Sequence, residues 1–273
     1  MKASEIRKEA RENLKSRWSK AVYITLAYMA ISFVIGFIQE IFGEETIISK
    51  ILDLVYIIIN IPLSFGLLIS FIKLKRGEDV KAFDYLNDGF NRFGKSYGIW
   101  FRTLLKLFLP IILLILTALP LYIILILLLL GLLSTAGISA NYISIDTSIL
   151  EIFDNIIPQF LNILPVLIIL FILATIYMIR KSLLYVFAYN ISYDNSELTS
   201  RECVLKSAEL MKRNRIKYLL LELSFIGWAI LSLFTFGIGI IWLTPYIQIA
   251  TICFYEKLIK TETEKDDDVI KTK

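Results

Sequence analysis

The residue types this 273-residue chain lacks decide more about its chemistry than those it has. It contains no histidine, which removes Ser-His triads, Cys-His pairs and His-ligated zinc or iron sites. Its two cysteines, Cys203 and Cys253, are far apart in sequence, and neither falls in a segment expected on the outer side of the membrane. No disulfide is expected. No phosphate-cradling glycine-rich loop, G-x-S-x-G elbow or C-x-x-C pair occurs. The expectation is a protein that is not an enzyme and holds no metal and no cofactor.

What remains is a handful of polar residues inside long apolar runs. Glu222 sits in Leu219-Leu220-Leu221-Glu222-Leu223. An ionisable group in a membrane helix is costly and by default a functional candidate. Its depth weakens that reading, because five residues at 1.5 Å each put it only about 7–8 Å from Lys217. A carboxylate pinned by Lys217, Arg215 or Arg180 is the plainer expectation, with ion or substrate coupling as the alternative. Asn60 and Gln248 carry amides that must find partners inside the bilayer, either as glue between helices or as the lining of a polar path. Lys50 and Asp53, three apart, favour a local pair on one helix face.

These residues belong to six apolar runs, 21–42, 52–71, 107–133, 161–179, 218–236 and 238–258. Each is close to the 20 or so residues that a helix needs to cross the hydrocarbon core. The third run contains Pro110 and Pro120 and is expected to be one tilted or kinked span, because a turn at Pro120 would leave its backbone without polar partners. After the fourth run, Arg180 and Lys181 are followed by the apolar stretch 182–193. This reads as a helical extension at the inner interface or as the end of one long tilted helix. Phe236-Gly237-Ile238-Gly239 leaves almost no loop between the last two runs, and glycine tolerates the angles of a sharp turn. Pro245 should bend the sixth. Residues 1–20 form a charged arm too long for the start of a cleaved signal. The tail 261–273 is charged and expected to be disordered.

Positive charge sets the orientation. Of 29 Lys and Arg residues, 28 fall in the arm, the connections around 73–106 and 180–217, and the tail from Lys257. Only Lys50 lies in a segment assigned to the other side. Basic loops stay cytoplasmic, where the membrane potential and anionic lipids favour them. Both termini are therefore expected inside. The basic residues flank spans with no folded domain to present them, which suits anionic lipid headgroups and argues against nucleic acid.

Three stripes at helical spacing precede pairs of runs: Ile6, Ala10, Leu14 and Trp18; then Phe83, Leu86, Phe90, Phe93 and Tyr97; then Val204, Ala208 and Met211. The third begins at Thr199, which can form a capping box with Glu202. Amphipathic helices on the inner face are expected at all three, as three copies of one unit or as the common habit of inner loops. Trp18 and Trp100 are expected at the inner boundary, Trp242 near the outer one and Trp228 deeper.

Near the C-terminus the chain resembles a known family. The residues are Met211-Lys212, Leu223-Ser224-Phe225-Ile226-Gly227-Trp228, Gly237-Ile238-Gly239, Trp242, Pro245-Tyr246 and Phe254-Tyr255, and the stretch from Arg11 to Trp18 fits as well. They are similar to bacterial integral membrane proteins classed as domain of unknown function nine-seven-five. The resemblance implies a six-span membrane protein and no activity. Arg213 stands where the family often has glycine, so a turn expected there could be helix instead.

The expected fold is all-α, a polytopic membrane protein of six transmembrane helices with amphipathic inner-surface helices, and residues 1–260 form a single domain. Ser224, Gly227, Trp228, Gly237, Gly239 and Pro245 are expected to pack the last two spans tightly, with Gly227 making room for the Trp228 indole. Glu222, Asn60 and Gln248 are the candidate intramembrane polar residues. An accessory or scaffolding, lipid-interacting protein of the bacterial cytoplasmic membrane is favoured, because buried ionisable groups are so few. The alternative is a permease- or exporter-like transporter. The expected partners are the lipid bilayer, anionic headgroups at the inner face and a second membrane protein.

Overall fold

The structure, a computed structural model, describes residues 2–43, 46–135 and 147–271. Among these it is all-α. The helices are α1 (Ala3–Leu14), α2 (Trp18–Phe42), α3 (Ile47–Arg76), α4 (Asp84–Phe90), α5 (Phe93–Thr135), α6 (Thr147–Ser182), α7 (Ala188–Asp194), α8 (Ser200–Met211), α9 (Arg215–Leu223), α10 (Ile226–Phe234) and α11 (Ile240–Lys271). Among the described residues five stretches are long and apolar enough to cross a membrane: Trp18–Phe42, Ile47–Arg76, Phe93–Ile126, Asn162–Ser182 and Arg215–Phe234. The sixth expected span falls on α11, whose apolar residues are broken up by Thr244, Gln248, Thr251, Glu256 and Lys257. That helix continues to Lys271, through the charged tail expected to be disordered. Its Glu and Lys are good helix formers. Residues 136–146, between the third and fourth apolar runs, lie outside the described residues.

The chain divides into two units, one of residues 1–103 with 183–273 and one of residues 104–182. The first holds a core in which the N-terminal stripe is buried outright. Ile6, Ala10 and Leu14 pack beneath Ile249, Ala250, Cys253 and Phe254 of α11. The stripe of α8 is buried the same way through Val204 and Met211, and the capping box closes as expected, with Glu202 accepting from the Thr199 amide at 2.7 Å and the Thr199 side chain accepting from the Glu202 amide. Both stripes were expected on amphipathic helices of the inner face, and protein packs against them. The second stripe differs, because Phe83, Phe90 and Phe93 are exposed while α4 buries Tyr85 and Gly89.

The stretch 182–193 resolves as a turn followed by α7, with Phe187, Ala188 and Ile191 in the core. It neither extends α6 nor lies on the surface. Burial pushes the Tyr189 phenol up to about 12, and its ring packs 5.0 Å from that of Phe65. After α8 the chain turns at Lys212–Asn214, so Arg213 does not prevent the turn. The fifth expected span is interrupted at Ser224 and Phe225, where the Ser224 hydroxyl donates to the Leu221 carbonyl at 2.6 Å. Serine back-bonding of this kind bends helices.

A layer of charge closes one end of this unit. Arg17 donates to the carbonyls of Leu74 and Lys75 at 2.8 and 3.1 Å at the C-terminal end of α3, where the Gly77 amide also donates to Leu74 at 3.2 Å. Lys75 pairs with Glu256, Arg76 with Asp194 at 2.6 Å, Lys73 with Asp88 at 2.8 Å and Lys257 with Glu9 at 2.7 Å. Lys20 pairs with Asp79, and that bond holds the Asp79 carboxyl below its ordinary range. Five of the basic residues that the sequence assigns to the inner face thus pair with carboxylates of the same chain.

In the second unit, α5 passes unbroken through Pro110 and Pro120, as expected. The Thr117 and Thr175 hydroxyls donate to carbonyls of their own helices. Leu116, Leu119, Ile169 and Leu173 face outward.

Candidate functional site

The three candidate polar residues do not meet in one cavity. Asn60 accepts the Tyr28 hydroxyl at 2.8 Å, tying α3 to α2. One turn further on, Ser32 meets Tyr56 at 2.9 Å, and then Gln39 donates to Asp53 at 2.7 Å. The amide of Asn60 is thus one rung of an interhelical ladder, and Asp53 takes part in it. Glu222 lies one turn after Tyr218 on α9, and the Tyr218 hydroxyl meets Thr251 of α11 at 3.5 Å. Gln248 is half-buried one turn from Thr251.

The expected packing patch is shifted. A Cβ on Gly227 would have nothing within 4 Å, so the close approach of the last two helices does not happen there. It happens at Gly239, where a Cβ would stand 2.6 Å from the Ser232 hydroxyl. Ser232 turns its own hydroxyl back to the Trp228 carbonyl at 2.9 Å. Gly237 takes φ +84°, as the turn requires, and Phe236 beside it takes φ 51°. Pro245 is buried on α11, and Ser224 gives its carbonyl to Arg7 at 3.3 Å.

The tryptophans mark a cavity that the sequence did not. Trp18, Trp228 and Trp242 line one space of about 340 Å³ together with Leu231, Leu243 and Ser232. The indole expected at the inner boundary and the one expected at the outer boundary share its walls. Thr235 and Gly239, at the tip of the hairpin between α10 and α11, line it too, as do Arg11 and Tyr246. The Arg11 guanidinium donates to the Tyr246 hydroxyl at 2.9 Å, which in turn donates to the Arg7 carbonyl at 3.3 Å. Phe225 packs edge-on to Tyr246 at 5.0 Å and fixes the ring. The walls are aromatic and aliphatic, and among the described residues Arg11 is the one charged side chain that lines the space. Such a place suits a molecule with a long apolar part and an anionic end. A second hollow, between α8 and α11, is lined by Glu202, Glu209 and Glu262 with Lys206. Among the described residues no group of His, Cys, Asp and Glu could hold a metal ion.

Helices of this length and apolarity, carrying a cavity open to apolar ligands, define an all-α membrane protein. A family model described as protein of unknown function (DUF975) matches residues 1–262, and the chain belongs to that family. No curated protein and no solved structure matches it.

Proposed function

We propose that this is an accessory, lipid-interacting protein of the bacterial cytoplasmic membrane, and that it holds an anionic phospholipid in the tryptophan-lined cavity. Both termini and the basic connections face the cytoplasm. The cavity carries the reading: its walls include Trp18, Trp228, Trp242, Leu231 and Leu243, and the Arg11 guanidinium brings positive charge to it. Indoles favour the depth where headgroup meets acyl chain, and a guanidinium binds phosphate oxygens in bidentate fashion. The alternative, a permease, has less support, since Asn60 is bonded across to Tyr28 and none of Asn60, Gln248 and Glu222 lines the cavity.

The test is native mass spectrometry of the gently purified protein, mixed with phosphatidylglycerol or phosphatidylcholine. Retention of one phosphatidylglycerol is expected, reduced about tenfold in Arg11→Gln and kept in Arg11→Lys. Equal retention of both lipids, or an unchanged Arg11→Gln, would sink the reading. A stoichiometric protein partner bound in place of lipid would overturn the lipid site and leave the accessory role.

A further inference from the structure

The hairpin formed by α10 and α11 has a common reference level with α2 and α3. Arg17, which opens α2, holds the carbonyls of Leu74 and Lys75 near the end of α3, and Lys75 pairs with Glu256 of α11. From that level α2 runs 25 residues, about 37 Å, and α3 runs 30 residues, about 45 Å. The stretch of α11 from Ile240 to Glu256 covers only about 25 Å. The tip therefore stops on the order of 10–20 Å short of the far ends of α2 and α3. The cavity shortens it further: Trp18, the first residue of α2, shares a space of about 340 Å³ with Thr235 and Gly239 at the tip. A hairpin that crossed would hold those residues about 30 Å apart, the thickness of the hydrocarbon core.

The chemistry of the turn agrees independently. Hydrocarbon tolerates non-helical backbone only where its polar groups are satisfied from within. All nine amide N–H groups from Thr235 to Leu243 donate inside the hairpin, eight to its own carbonyls and that of Gly239 to the Thr235 hydroxyl at 2.9 Å. The side chains at the apex are Phe234, Phe236 and Ile238, and Phe236 is fully exposed. No charged residue lies between Leu223 and Tyr255. An apex in water would leave these rings hydrated, whereas one in mid-bilayer puts them in lipid.

We infer that α10 and the first half of α11 form a re-entrant hairpin, which enters from the cytoplasmic side, turns near the middle of the bilayer and returns. The cavity behind it then belongs to the cytoplasmic leaflet alone and takes its lipid from there. The distribution of basic residues is the same for a re-entrant and a crossing hairpin, so charge does not distinguish them. The inference uses the orientation proposed above and does not depend on which lipid binds.

The test places single cysteines at the tip (Phe236→Cys, with Ile238→Cys as a second position), at the exposed start of α3 (Ile47→Cys) and in the tail (Thr261→Cys). The natural Cys203 and Cys253 are buried. A membrane-impermeant maleimide applied to intact cells should label Ile47→Cys only, and Thr261→Cys should need permeabilisation. Failure of that pair overturns the orientation and leaves the hairpin geometry to be judged by depth. The tip cysteines should be unlabelled from either side. A bimane on them, in vesicles, should be quenched more by a nitroxide near the acyl-chain end than by one near the headgroup. Labelling of the tip from outside, or stronger quenching by the shallow nitroxide, overturns the inference.

Discussion

Thr199 and Glu202 satisfy each other at the start of α8, and the two bonds from Thr199 hold the Glu202 carboxyl below its ordinary range, the backbone bond most of all. A carboxylate depressed in the folded state stabilises above its unfolded pKa, and that contribution is lost as pH falls through the folded value. Thermal melts should therefore show wild type more stable than Glu202→Gln at neutral pH. The gap should stay constant down to about pH 5 and close below about pH 4. A gap that persists at pH 3 would mean that the charge is irrelevant to the cap. This motif was legible in the sequence because both partners lie within one turn. The partner of Asn60 was not, since Tyr28 is 32 residues away and only the pairing of α2 with α3 brings it near.

At the scale of elements, two glycines decide how α3 meets α4. A Cβ on Gly66 would stand 1.9 Å from the Tyr85 carbonyl oxygen, and one on Gly89 would stand 2.1 Å from that of Pro62. Backbone lies against backbone there, so nothing at the contact can turn aside. Gly66→Ala should cost about 2–3 kcal/mol or prevent folding, as overpacking does, while Gly227→Ala should change stability by less than about 0.5 kcal/mol. Denaturation in mild detergent checks both, and equal effects would mean that α3 and α4 are not in this contact. Small residues three apart near Trp228 pointed to Gly227 in the sequence. Spacing shows that an approach is permitted, while the facing helix determines where it occurs.

Across the whole molecule, charge does two jobs. Its distribution along the chain argues for orientation, and its pairing ties the N-terminal arm, α3, α7 and α11 together. The Lys75 side chain is 9% exposed and the Glu256 side chain 26%. Removing one partner of such a pair leaves the other with little water. Glu256→Gln should therefore destabilise by about 2 kcal/mol, whereas Glu12→Gln, from a pair with Lys8 at 64–74% exposure, should be near neutral. Thermal unfolding of the two variants side by side decides this, and equal losses would remove the interior pair from the account.

The sequence by itself determined the helical class, the apolar runs, the unbroken course of α5 through two prolines, the cap at Thr199 and the shortage of catalytic groups. Those are local properties, set by composition and by contacts within a turn or two. Tertiary structure alone decided that the stripes of α1 and α8 are covered by protein, that α7 lies in a core, and that three tryptophans from distant segments surround one cavity beside Arg11. It also decided how far the last hairpin reaches. An apolar residue looks the same in sequence whether lipid or protein will cover it, because both remove it from water equally well. Only the placement of the other helices separates the two.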